Sequence, residues 1–242
     1  MQQVARQTSS VVQEFSRFAH QYDTYNMIQA KVATALVSML PRQSYKNIID
    51  IGCGSGEVYK NLQSQAIETE RFVALDTSSE MLTLHPNHAR VTTIFSNFNE
   101  KDFLNDIPKM KYDLVLSSSA LQWSTDLSYT LGTLATLSSH FYGAVFTSGT
   151  FKTLHQTANV KSPIYNIDTV QDAIKTYYRN VHFKVQHYRL EFESTRDMFK
   201  YIKQSGVSSG ERKLSYKQTK KLMETYALNY LEFEVLFIEA KK

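Results

Sequence analysis

The spacing of hydrophobic and polar positions changes several times along the chain, and each change marks an element. Val12, Phe15, Phe18, Ala19 and Tyr22 recur at three-to-four spacing, the period of an amphipathic helix, and a second such run over residues 26–40 stops at Pro41. Beyond Tyr45, short apolar runs at 48–51, 72–75, 91–95 and 112–116 alternate with helical patterns, the first following a glycine loop and the second starting at Ser79. A helix over 127–137 leads to another apolar run at 144–146, after which 150–167 is polar, irregular and interrupted by Pro163, as a loop or lid would be. A helix over 169–178 follows, then a strand in which Tyr188, Leu190 and Phe192 alternate with charged residues. Helices at 194–204 and 215–226 and a strand at 231–240 complete the pattern. This rhythm predicts an α/β fold: a doubly wound, mostly parallel sheet of seven strands with N-terminal helices and helical cap insertions, the last two strands being separated by an inserted helical segment. Internal repeats and low-complexity tracts are lacking, which excludes a solenoid.

Composition refines this picture only slightly. A chain of 242 residues, 42% hydrophobic and 21% charged, suits one domain with a substantial core. Its apolar runs fall short of the roughly 18 residues needed to span a bilayer, and residues 1–10 are polar, so a cytoplasmic protein without a membrane partner is expected. The single cysteine, Cys53, excludes an internal disulfide, and without histidine or cysteine clusters no metal is expected. A net charge of +4 with a pI near 8.9 suits a carboxylate- or phosphate-rich partner without specifying one. No RNA-binding module or basic tail accompanies it, so nucleic acid is not an expected partner.

The sharpest local signal is Asn47-Ile48-Ile49-Asp50-Ile51-Gly52-Cys53-Gly54-Ser55-Gly56, a strand running into alternate glycines and then a helix. Gly52, Gly54 and Gly56 permit a tight turn and let a ligand approach the backbone where a Cβ would collide. The spacing is G-x-G-x-G, one residue shorter than the dinucleotide fingerprint that receives a pyrophosphate. A carboxylate at the strand end, Asp50, suits a cationic amino-acid moiety instead, held directly or through water, and so favours S-adenosylmethionine over a nicotinamide dinucleotide. About 20 residues later Asp76 ends a second strand, placed to accept hydrogen bonds from both ribose hydroxyls. Met81 in the next helix is positioned to pack on the adenine, although core filling is as good a reading of a methionine there. After the third strand, Asn97 offers an amide to adenine's exocyclic amine and Phe98 a ring for its face; a turn residue is the plain alternative for Asn97. The order of these features with the strand Tyr112-Asp113-Leu114-Val115-Leu116 is that of class I methyltransferases.

Two further blocks narrow the resemblance. Phe15-Ser-Arg17-Phe-Ala19, Tyr22-Asp23 and Gln29, followed by Ser119-Ala120-Leu121-Gln122-Trp123, resemble the malonyl-acyl carrier protein O-methyltransferases that open biotin synthesis, a likeness extending over nearly the whole chain. Leu154-His155-Gln156 and Met198, Ile202, Lys203 and Gly206 add to it. The arginine-proline-glycine-glycine turn of many relatives is replaced here by Ser138-Ser-His140-Phe-Tyr-Gly143, and the usual aspartate at the adenine position by Asn97. The resemblance implies a single methyltransferase domain over 1–242, with a helical cap at 1–43, a cofactor-binding core at 44–149, and lid, substrate elements and the last two strands at 150–242. It implies Tyr22 near the cofactor carboxylate and the transferred methyl, as the catalytic residue, with Gln29 also at the cofactor. Ser117, at the end of strand four, would touch the methionine part. Trp123 would line the cleft, with core packing as its alternative.

The implied reaction moves a methyl group from a sulfonium to a carboxylate. An ionised oxygen needs no general base, so the lack of an evident acid/base pair is expected; orientation and removal of water are what the protein must supply. His155, Lys203 and Lys152 are candidates to hold the substrate anion, the implied partner is acyl carrier protein carrying malonyl, or malonyl-CoA, and the enzyme itself is expected to be a monomer. The basic run Lys200, Lys203, Arg212, Lys213, Lys217, Lys220 and Lys221 could dock an acidic carrier or simply be a solvated face. A methyltransferase of a free diacid, an RNA methyltransferase and a non-catalytic cofactor-binding protein are the competing readings.

Overall fold

A computed structural model describes residues 26–204 and 216–242. Its strands are β1 (Ser44–Ile51), β2 (Glu68–Asp76), β3 (Val91–Phe95), β4 (Leu114–Ser118), β5 (His140–Phe146), β6 (Asn180–Glu191) and β7 (Tyr230–Lys241). They form one sheet in the order β3-β2-β1-β4-β5-β7-β6. The first five pair in parallel and β7 runs antiparallel between β5 and β6. The helices are α1 (Met27–Val37), α2 (Glu57–Ser64), α3 (Ser79–Leu84), α4 (Leu127–Leu137), α5 (Lys152–Thr157), α6 (Ile167–Tyr177), α7 (Thr195–Gln204) and α8 (Tyr216–Thr225). The expected strand count and mostly parallel sheet are present. The helix anticipated at 12–22 lies outside the described residues. No described helix is long and apolar enough to cross a membrane.

The central strands read as unbroken apolar runs because both faces are covered. Successive side chains point to opposite faces, so Ile48, Phe72, Leu114 and Tyr142 join one hydrophobic layer with α1, α2, α7 and α8. Ile49, Val73, Val115 and Phe141 join the other with α4 and α6. Caps fix several helix starts: the side chains of Ser78, Asp126 and Asn166 accept from the backbone N–H groups of Met81, Tyr129 and Thr169.

Two expectations are revised. The segment 150–167 is not wholly irregular, since it contains α5, a helix too short to show a period in sequence. A carboxylate from β7 holds it: Thr153 donates its N–H and its hydroxyl to Glu232, each at 2.9 Å. Strand β6 begins at Asn180, well before Tyr188. As an edge strand open to solvent along one side, it carries His182, Lys184 and Arg189 among its exposed positions, and this charge hides its period from a hydrophobicity reading.

Candidate functional site

The chain reverses from β1 into α2 through Gly52, Gly54 and Gly56, which adopt φ values of 73°, 53° and 85°. Gly52 is fixed from below, because a Cβ there would collide with the Ala120 Cβ. Gly54 differs: among the described residues nothing lies within 4 Å of the Cβ position, so its small size leaves an open cradle instead of relieving a clash. The loop hangs on β2 through the N–H groups of Gly52 and Cys53, both donated to the Leu75 carbonyl at 2.8 and 2.9 Å. The Gly54 N–H donates to Asp76 Oδ2 at 2.8 Å and the Ser78 N–H to Oδ1 at 2.9 Å, leaving Asp76 partly open to solvent. Burial raises the Asp76 pKa against the lowering effect of these backbone donors.

Asp50 lies beneath the loop at 0% exposure, and neither of its carboxylate oxygens has a partner among the described residues. Burial, and secondarily the charge of Asp76, push its pKa up to about 8. An orphaned carboxyl next to an open backbone cradle fits the positively charged amino-acid end of S-adenosylmethionine, and Asp76 at the β2 end fits its ribose diol. Cys53 belongs to the loop by its backbone. Its thiol is buried, faces the Gly54 carbonyl at 3.6 Å, and is held protonated by burial and the two aspartates.

On the adenine side, Met81 is buried and Phe98 lies in the second hydrophobic layer, 3.7 Å from the Gly52 Cβ position. The Asn97 amide oxygen accepts from the Asn99 N–H at 3.0 Å, so the turn role exists and one lone pair remains for a ligand amine.

At the end of β4, the Ser117 hydroxyl is buried and donates to the Ile51 carbonyl at 2.8 Å, tying β4 to the glycine loop. Of the residues that follow, Ser119, Gln122 and Trp123 belong to the block that carries the resemblance, whereas Ser118 has no role assigned from sequence. The hydroxyls of Ser118 and Ser119, the Gln122 Oε1 and the Trp123 Nε1–H are all buried without a partner among the described residues. Ser119 has φ of 59°, a left-handed conformation that a serine holds only under constraint. A run of three serines at a strand end was the available signal, but sequence cannot show that their hydroxyls lack partners. Trp123 is half-buried, so its ring is part of the packing while its N–H is uncommitted.

Gln29 is buried on α1, which packs on α2, β4 and β5, and its Oε1 has no partner among the described residues. Tyr22 and the Lys203 side chain lie outside the described residues. His155, on α5, lines an open cleft of about 400 Å³ with Lys152 and Lys161 beyond β5, separate from the glycine loop.

A family model described as a methyltransferase domain matches residues 42–225. A malonyl-[acyl-carrier protein] O-methyltransferase of Bacillus cytotoxicus is 27% identical over 81% of this chain and 74% of its own length. One from Acetivibrio thermocellus is 35% identical over 58% of this chain and 50% of its own length. The crystal structure of the YcgJ protein of Bacillus subtilis shares the fold with a TM-score of 0.64 at 11% identity, covering 88% of this chain and 98% of that one. The glycine loop, the orphaned Asp50 and Asp76 thus sit in a chain that belongs to the methyltransferase domain family, with S-adenosylmethionine as the methyl donor its site fits.

Proposed function

We propose that the chain transfers the methyl group of S-adenosylmethionine to the free carboxylate of a malonyl thioester carried on acyl carrier protein, the step that opens pimeloyl and biotin synthesis. The observation that carries this reading is the chemistry at the β4 end. Residues 117–125 supply hydroxyls, an amide and an indole N–H, and not one titratable side chain. An amine or alcohol acceptor would need a base to take its proton. A carboxylate is ionised at neutral pH and needs only orientation in a pocket from which water is excluded. The relatives named for malonyl-acyl carrier protein support the same acceptor.

The cofactor supplies a methyl group activated on a sulfonium. Asp50 and the glycine loop would hold its amino-acid end, and Asp76 its ribose. The Trp123 N–H and the Ser118 and Ser119 hydroxyls would orient the acceptor through one oxygen, leaving a carboxylate oxygen free to attack. Tyr22 is assigned to the transferred methyl by family resemblance.

Purified protein is given S-adenosylmethionine with malonyl-, succinyl- and acetyl-acyl carrier protein or free malonate, and ester formation is followed by intact mass beside a Tyr22→Phe variant. Conversion of the malonyl thioester in preference to the others, slowed in the variant, is expected. Equal conversion of free malonate would replace the acceptor by a small diacid, and cofactor binding without turnover would replace catalysis by a binding role.

A further inference from the structure

The cleft beyond β5 is a second, chemically distinct place for an anion. Lys152, His155 and Lys161 line it together with Ser148 and Ser162, and none of the described residues that line it is acidic. The Ser162 hydroxyl is buried without a partner among the described residues, an unused donor in a basic wall.

The cleft is joined to the β4 end. The Ser148 N–H donates to the Tyr165 carbonyl at 2.8 Å, and the Tyr165 hydroxyl donates to the Ser124 carbonyl at 2.7 Å, directly after Trp123. Ser118 pairs with Ala144 across β4 and β5, and Ser148 follows a few residues on. At ~3.3 Å per residue and ~4.8 Å between strands, the two places are roughly 10–14 Å apart.

Such a cleft is poorly suited to the reacting carboxylate, because an anion paired with ammonium groups in an open, wetted groove is a weak nucleophile. It suits a second anion on the same acceptor. The arm that carries an acyl thioester on a carrier protein or on coenzyme A ends in a phosphate. Sulfur and phosphorus are separated by about as many bonds as a little over four residues of backbone, on the order of 15 Å when extended. Resting on the malonyl thioester reading, we infer that the Lys152–His155–Lys161 cleft binds the phosphate of the phosphopantetheine arm and so selects carrier-borne acceptors over free acids.

The test separates this inference from the acceptor itself. Binding of 4′-phosphopantetheine and of pantetheine is measured by calorimetry at low salt, without cofactor or malonyl group, on the wild type and on a Lys152→Gln/Lys161→Gln variant. The wild type is expected to favour the phosphorylated arm by about tenfold, the upper scale of two exposed ion pairs, and the variant to lose that preference. Equal binding of the two arms by the wild type, or a preference that survives in the variant, overturns the inference. In turnover, the ratio of kcat/KM for malonyl-phosphopantetheine over malonyl-pantetheine should fall towards one in the variant. Malonyl-CoA and malonyl-acyl carrier protein, run in parallel, show which source of the phosphate is preferred. Failure to methylate any malonyl thioester while the binding preference persists would remove the proposed acceptor and uphold the cleft as a phosphate site.

Discussion

Asp50→Asn replaces a carboxyl that is unpaired among the described residues, and its consequences have opposite signs with and without the cofactor. In the free protein the carboxyl is at 0% exposure with no partner among the described residues, and its pKa stands at about 8 against 3.8 for an exposed aspartate. Between those values the folded protein holds a proton that the unfolded chain has lost, so stability falls as pH rises, by up to ~1.4 kcal/mol per unit. From pH 5.5 to 7.5 the wild type should lose about 2 to 3 kcal/mol that the asparagine variant keeps, once the pH dependence shared by both proteins is subtracted. Urea denaturation at the two pH values reads this directly. Cofactor binding moves the other way: the ionised carboxylate is the form that holds an ammonium, so affinity should rise with pH towards about 8 and binding should release a proton. The variant should bind some ten- to a hundredfold more weakly, the worth of one charged hydrogen bond, with no proton release in calorimetry across buffers of different ionisation enthalpy. Parallel stability curves for the two proteins, together with equal cofactor affinity, would refute the reasoning.

Gly52→Ala and Gly54→Ala should separate fold from function. The first places a methyl against Ala120 and should lower the melting temperature by several degrees, whereas the second meets open space, costs ~1 kcal/mol for its left-handed backbone, and loses cofactor affinity while staying folded; differential scanning calorimetry and titration distinguish them. The Cys53 thiol, buried and held protonated, should resist alkylation at pH 8 until denaturant is added, as mass spectrometry would show; rapid labelling of the native protein would contradict its placement. Trp123→Phe keeps an aromatic ring and removes the unpartnered N–H, so it should raise KM for the acceptor several-fold with cofactor affinity intact; an unchanged KM would return Trp123 to packing alone.

What the sequence disclosed, and what it withheld, follows from the range of the interactions. Strands such as Phe72–Leu75 are legible because burial on both faces forces continuous apolar residues, and the glycine loop because its left-handed backbone favours glycine. Asp50 and Asp76 stand out because each lies at the C-terminal end of a parallel strand, where ligands gather. Helix α5 was hidden because its start is held by Glu232, about eighty residues away in the chain. The unpaired groups of Ser118, Ser119 and Gln122 could not be read either: whether a hydroxyl or amide is satisfied depends on neighbours that only the fold brings near. The basic cleft is of the same kind, since Lys152 and Lys161 become one surface only when the segment after α5 folds back to Ser148.

The most direct test of carboxylate methylation is to follow the fate of the methyl group itself, with S-adenosylmethionine carrying a carbon-13 methyl and malonyl-acyl carrier protein as acceptor, read by NMR. Carboxylate methylation requires the label to appear as an O-methyl ester of the malonyl carboxylate. Label on sulfur, nitrogen or carbon, or no transfer by protein shown to bind the cofactor, would contradict it.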